Sequence, residues 1–263
     1  MLVFLHGLGS RGPSLAPLQE MLKPRFETYL PTRRPLGHQA SYEDIFANVV
    51  RDLDERGIGP AFYLGYSFGG HIAFTLARRF PERVRGVIGV ASPLFFNGRA
   101  LSRIRQVLKE ELAARGRGDQ RRETIEQRWG ADFEDVVAGT ERMFLQMREN
   151  PPLSRADVAA IEAPALYLSG DHDHYVPADV AKATAELLPN ARLGLFPGLG
   201  HPISNVPVVQ VKHAVTTFID QVEAGSFDPK VPADVTARLV VGGLAFHDVT
   251  AKLKQARRQN AGS

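Results

Sequence analysis

The sequence predicts an α/β protein: a mostly parallel central sheet with helices on both faces, a helical insertion, and a C-terminal β-hairpin that completes the sheet. Three observations carry this prediction. Short, wholly apolar runs alternate with amphipathic stretches of helical period, the pattern of strands buried on both faces and of the helices that cover them. Residues 93–150 break that rhythm with charged helical pattern and no convincing strand. After a stretch marked by Pro229 and Pro232, "TARLVV", Gly242-Gly243 and "LAFHDVT" have the form of two strands around a two-residue turn.

The elements follow in order. Leu2–Leu5, Phe62–Tyr66, Val84–Ala91, Ala165–Ser169 and Arg192–Phe196 are the apolar runs, with a weaker one at Phe26–Leu30. Tyr42–Arg56, Gly70–Arg79, Ala178–Leu188 and Val208–Val222 carry apolar residues at helical spacing and read as the covering helices. This divides the chain into a core of residues 1–92 and 151–224, a helical insertion over 93–150, and a linker with hairpin over 225–263. No repeat or low-complexity tract interrupts it.

Composition narrows the function classes. A chain of 263 residues, 44% hydrophobic and 23% charged, is long enough for one large core. It has no cysteine, which excludes disulfides, thiolate catalysis and cysteine-ligated metals. No apolar run approaches the roughly 20 residues of a membrane span and no secretory leader precedes residue 1, so the expected location is the cytoplasm. The net charge is +3. From Arg99 to Arg128, nine basic residues alternate with five acidic ones, which reads as a solvated helix face and leaves no nucleic-acid partner expected.

The stretch "FYLGYSFGGHIAFTLARRFP", residues 62–81, is the most informative. A strand ends at Gly65-Tyr66-Ser67-Phe68-Gly69 and a helix begins at once, the context of a G-x-S-x-G nucleophile elbow. So sharp a turn strains the serine backbone, and the glycines two residues to either side avoid collision. A serine needs a base and a group to orient that base. "ALYLSGDHDHYVP" and "LFPGLGHPISNVP" supply acidic residues and His201 just after strands, where open parallel sheets place their sites. The spacing alone leaves Asp171 and Asp173 both open as the acid. The run Asp171, His172, Asp173, His174 also raises a metal site. Successive residues in extended chain point to opposite faces, which parts the two acids from the two histidines, so no metal and no cofactor is expected.

On these residues the chain resembles the α/β-hydrolase superfamily over about residues 1–224. The resemblance implies that His6-Gly7 opens the loop whose Leu8 backbone N–H, with that of Phe68, forms an oxyanion hole. Gly170-x-x-Asp173-x-x-x-Pro177 is similar to the family's acid motif and selects Asp173 over Asp171. His201 in Gly-Leu-Gly-His matches the family base, and 93–150 resembles its lid. The implied chemistry is metal-free cleavage of a carboxylic ester through an acyl-enzyme on Ser67. His201 is the base and Asp173 fixes its tautomer. The serine at the elbow argues against haloalkane dehalogenases, which carry aspartate there. A carbon–carbon bond hydrolase, an acyltransferase and a non-catalytic binding protein of the same fold remain alternatives.

The expected substrate is a small ester with an apolar part, held by His6, Phe95, Phe96, Trp129 and Phe144, with Phe133, Met143 and Met147 also in the lid. His6 is expected to organise its loop rather than act as acid or base. His38, His71, His213 and His247 default to structural or surface roles. In the family an antiparallel hairpin precedes the strand matched by Leu2–Leu5. Residues 237–249 resemble that hairpin, so a circularly permuted sheet is expected, with 237–249 pairing beside Leu2–Leu5. A homodimer built by strand exchange and an unrelated tail hairpin are the alternatives.

Overall fold

The structure is a computed structural model that describes residues 1–7, 15–31, 41–96, 98–114, 133–201, 207–235, 240–241 and 244–245. Six strands form one sheet: β1 (Leu2–Leu5), β2 (Thr28–Tyr29), β3 (Ala61–Tyr66), β4 (Val84–Val90), β5 (Ala165–Gly170) and β6 (Ala191–Phe196). Their order is β2-β1-β3-β4-β5-β6, and every pairing within it is parallel. Strands β1, β3 and β5 are buried at every position, which is why they read as unbroken apolar runs. At the sheet's edge, β6 instead alternates half-buried with buried residues.

Side chains of alternate parity part into two cores. Val3, Leu5, Tyr63, Val87 and Tyr167 pack with helices α2 (Tyr42–Glu55) and α3 (Phe68–Arg79). Leu2, Phe4, Leu64, Ile88 and Leu168 face α1 (Ala16–Leu22) and the last long helix, Val208–Glu223. The start of α2 is fixed by a reciprocal capping box between Ser41 and Asp44.

Between β4 and β5 the described chain is helical: α4 (Gly98–Ala114) and α5 (Phe133–Glu149) fall within 93–150, and the short α6 (Arg155–Ala159) follows. Val137, Thr140, Phe144 and Met147 are buried along one stripe of α5, and Arg105 of α4 reaches Glu141 of α5 at 2.7 Å. Helices α7 (Ala178–Leu187) and α8 (Val208–Glu223) complete the layers. Among the described residues no helix is long and apolar enough to cross a membrane.

The hairpin expectation is corrected in its placement. β7 (Val240–Val241) and β8 (Leu244–Ala245) do pair antiparallel, but as a two-stranded sheet of their own. They do not lie beside Leu2–Leu5, because β1 is already bonded on both sides, to β2 and to β3. The weak Phe26–Leu30 run supplied the missing neighbour. The chain leaving α8 also follows the opposite edge of the sheet. Ala233 N–H donates to the Leu193 carbonyl at 3.2 Å, and the buried Arg192 donates to the Asp228 carbonyl at 2.6 Å beneath the Phe227 ring.

Candidate active site

The site is built where β3 hands over to α3. Ser67 has φ 52° and ψ −122°, a left-handed conformation that costs a non-glycine residue of order 1–3 kcal/mol and persists only where the surroundings hold it. Its N–H donates to the Val90 carbonyl at 2.9 Å, tying the turn to β4. The glycines are required by close approach. A Cβ on Gly65 would lie 2.3 Å from both the Gly69 carbonyl oxygen and the Gly70 nitrogen, and one on Gly69 would lie 1.9 Å from the Leu5 carbonyl oxygen. Ser67 therefore stands at the N-terminus of α3, where the helix dipole favours negative charge.

His201 follows β6 and reaches across the sheet end to the serine. Its Nε2 lies 3.0 Å from Ser67 Oγ. Its Nδ1 lies 2.9 Å from Asp173 Oδ2 and 3.1 Å from Oδ1. The Asp173 side chain is fully buried, and its Oδ1 also accepts the backbone N–H groups of Tyr175 at 2.8 Å and Val176 at 3.0 Å. Such bonds are what a buried carboxylate requires. With Nδ1–H assigned to the carboxylate, Nε2 is left as the acceptor facing the serine hydroxyl. Two tyrosines hold the residue: Tyr66 O–H donates to the His201 backbone carbonyl at 2.5 Å, and the Tyr175 ring centroid lies 4.4 Å from the imidazole.

Asp171 does something else. It is exposed, and its Oδ1 accepts the Gly198 N–H at 2.6 Å, pinning the turn that follows β6. The described residues contain no group of three or more side chains able to hold a metal ion.

The serine and histidine open into a cavity of about 130 Å³. Phe68 and Phe96 wall it from the core side, and Ile104, Leu108, Thr140 and Phe144 from α4 and α5. Phe144 packs edge-on against Phe68 and at 5.0 Å against Phe96. Of the residues expected to bind substrate, Phe96 and Phe144 thus meet at the cavity. His6 is buried beside it without bordering it, its Nδ1 3.0 Å from the Gly7 carbonyl oxygen. Phe95 turns away beneath the Arg155 guanidinium. Leu8 and Trp129 lie outside the described residues. Sequence reading missed Ile104, Leu108 and Thr140. The apolar spacing Leu101, Ile104, Leu108 along α4 was the available signal for the first two.

Behind the cavity, His71 is fully buried against the Phe96 ring at 5.4 Å. Burial, and secondarily the Arg79 charge, push its pKa down to about 3. The hydrogens order themselves. Thr75 O–H donates to the His71 carbonyl at 2.9 Å, so Tyr42 O–H must donate to Thr75 Oγ1 at 2.6 Å. His71 Nδ1–H then donates to the Tyr42 oxygen at 3.0 Å. The imidazole is neutral and structural, with a single tautomer.

A mostly parallel sheet with a strained serine at a strand–helix turn, hydrogen-bonded to a histidine and through it to a buried aspartate, defines a hydrolase scaffold of the α/β class. Residues 2–215 match the model of the alpha/beta hydrolase family, and the chain belongs to that family. It is similar to a pimeloyl-[acyl-carrier protein] methyl ester esterase of Xanthomonas oryzae pv. oryzae. The two are 31% identical, over 84% of this chain and 95% of that protein. A 2-hydroxymuconate semialdehyde hydrolase of Pseudomonas putida is 29% identical over 70% of this chain and 68% of its own length. Among solved structures, a thermophilic esterase from Thermogutta terrifontis superposes with a TM-score of 0.67 at 21% identity, covering 84% of this chain and 89% of that one.

Proposed function

We propose that the protein is a metal-free serine hydrolase of carboxylic esters. The observation that carries the reading is the continuous line of hydrogen bonds from Ser67 Oγ through His201 to the buried Asp173, ending in an apolar cavity. Ser67 Oγ attacks the ester carbonyl carbon as its proton passes to His201 Nε2. The carbonyl oxygen, now negative, is stabilised by the Phe68 backbone N–H at the start of α3, with Leu8 N–H as the second donor that the family resemblance implies. The C–O bond to the alcohol breaks, and His201 returns the proton to the departing oxygen. A water then gives its proton to His201 and attacks the acyl carbon. The acid leaves and Ser67 regains its hydrogen. Asp173 keeps its charge throughout and steadies the imidazolium.

The apolar walls suit an ester with a hydrocarbon part, and the methyl ester esterases among the relatives support the ester class. The 2-hydroxymuconate semialdehyde hydrolase among them makes cleavage of a carbon–carbon bond the second reading. One assay separates the two. p-Nitrophenyl and methyl esters of graded chain length are compared with 2-hydroxymuconate semialdehyde, using wild type and Ser67→Ala. Ester turnover should dominate and fall by about four to six orders of magnitude in the variant. Turnover that survives the substitution, or that requires added metal, contradicts the proposal.

A further inference from the structure

Thr140 breaks a rule that the other two fully buried helical threonines of the described chain obey. A threonine inside a helix normally gives its hydroxyl hydrogen to the carbonyl four residues back. Thr75 does so to His71 at 2.9 Å, and Thr184 does so to Val180 at 2.8 Å. Thr140 is completely buried on α5, yet its Oγ1 has no hydrogen-bond partner. It also borders the same cavity as Ser67 and His201. Thr216, the other helical threonine hydroxyl without a partner, is only half-buried on α8, and it does not border the cavity.

Among the described residues, everything else that 93–150 contributes to that cavity is hydrocarbon: Pro93, Phe96, Ile104, Val107, Leu108 and Phe144. Thr140 sits one turn before Phe144 on the apolar stripe of α5, where valine would fill the same space without a polar atom to bury. A hydroxyl has one hydrogen to give and two lone pairs, and in an apolar wall the unused hydrogen is the costlier loss. Threonine in a helix occupies two side-chain rotamers with little preference, so a bound group can select the one that meets it.

We infer that Thr140 is a specificity-determining residue that donates a hydrogen bond to an acceptor oxygen on the substrate's acyl chain, separated from the scissile carbonyl by hydrocarbon. The substrate class is therefore an oxo-acyl or similarly oxygen-bearing ester rather than a plain alkanoate. This rests on the serine hydrolase reading of the same cavity. A site that expects such an oxygen discriminates against the analogue lacking it, because the protein group is then left unpaired.

The test uses methyl esters of straight-chain acids of graded length, each paired with analogues carrying one oxo group at successive chain positions. For wild type, one oxo position should exceed its plain counterpart in kcat/KM by tenfold or more. In Thr140→Val that ratio should collapse towards one, whatever happens to the absolute rates, and in Thr140→Ser it should be retained. Thr140→Val should melt no lower than wild type, since an unpaired hydroxyl is replaced by a methyl group. A ratio that is flat in wild type, or unchanged in Thr140→Val, overturns the inference. So does a drop of several degrees in Tm for that variant, which would show a hydroxyl already engaged in the fold. Ser67→Ala runs in parallel. If it leaves turnover intact the serine reading falls, while the oxo-to-plain ratio still decides the role of Thr140.

Discussion

Replacing Asp173 by asparagine should abolish catalysis while leaving the fold in place, and the structure shows why the two effects separate. Oδ1 of Asp173 holds the backbone N–H groups of Tyr175 and Val176 at 2.8 and 3.0 Å, and Oδ2 faces His201 Nδ1 at 2.9 Å. The new amide keeps both backbone bonds by placing its oxygen at the Oδ1 site. Its NH₂ then falls at the Oδ2 site, opposite Nδ1–H, where two donors cannot pair, and only the longer 3.1 Å approach of Nδ1 to the oxygen at the Oδ1 site is left. The imidazole relieves the conflict by moving its hydrogen to Nε2, where it can no longer accept the proton of Ser67. Loss of the correct tautomer lowers kcat by about 10⁴, or roughly 5.5 kcal/mol of barrier. Folding stability should fall by only about 1–3 kcal/mol, the scale of one charged hydrogen bond replaced by a poorer one. Asp171→Asn is the internal control. It is exposed and keeps its bond to the Gly198 N–H, so kcat should stay within a few-fold of wild type. Ester hydrolysis and urea unfolding of both variants provide the measurements. An Asp173→Asn enzyme retaining a tenth of wild-type kcat, or an Asp171→Asn enzyme losing activity instead, would refute the argument.

Three further outcomes follow from the packing. His71, with a pKa depressed from 6.5 to about 3 by burial, remains neutral in the folded state while the unfolded chain takes up its proton. Its contribution is therefore intact above about pH 6.5 and lost at up to about 1.4 kcal/mol per pH unit as the pH falls towards 3. His71→Asn, which keeps a donor for Tyr42, should show a shallower acid slope in urea titrations. Gly65→Ala drives a methyl group to 2.3 Å from the backbone of Gly69 and Gly70. It should destabilise by about 3 kcal/mol or more and cut kcat by about 100-fold through displacement of Ser67. Truncation after Gly225 uncovers Arg192 and removes Phe227 from its edge-on contact with Phe218 at 5.3 Å. It should cost about 2–4 kcal/mol by calorimetry, whereas truncation after Val235 keeps that contact and should cost far less.

What could be read from the sequence was what local chemistry dictates. The elbow was legible because only a strained turn needs Gly65, Ser67 and Gly69 in that order, and the buried strands because parallel strands covered on both faces admit no polar alternation. The choice of Asp173 over Asp171 came from family resemblance and not from spacing, since what sets Asp173 apart is its bonds to two backbone N–H groups and to a histidine 28 residues away. The neighbour of β1 was misassigned although the weak Phe26–Leu30 run was legible, because β2 contributes only Thr28 and Tyr29 to the sheet and so short a run does not say which strand it pairs with. Arg192 reads as a charge at the start of an apolar run. Its burial depends on Gln221 and Asp228, which arrive from the next helix and the tail. Thr140 was invisible for a similar reason: the absence of a hydrogen bond has no sequence signature.

The most direct test of the central claim is the site of covalent labelling by a fluorophosphonate, followed by intact mass and peptide mapping. The folded wild-type protein should gain one adduct, on Ser67 and nowhere else, within minutes. His201→Ala should react at least about 10³-fold more slowly while retaining its fold. Absence of labelling in folded wild-type protein, or an adduct on another residue, would contradict the account.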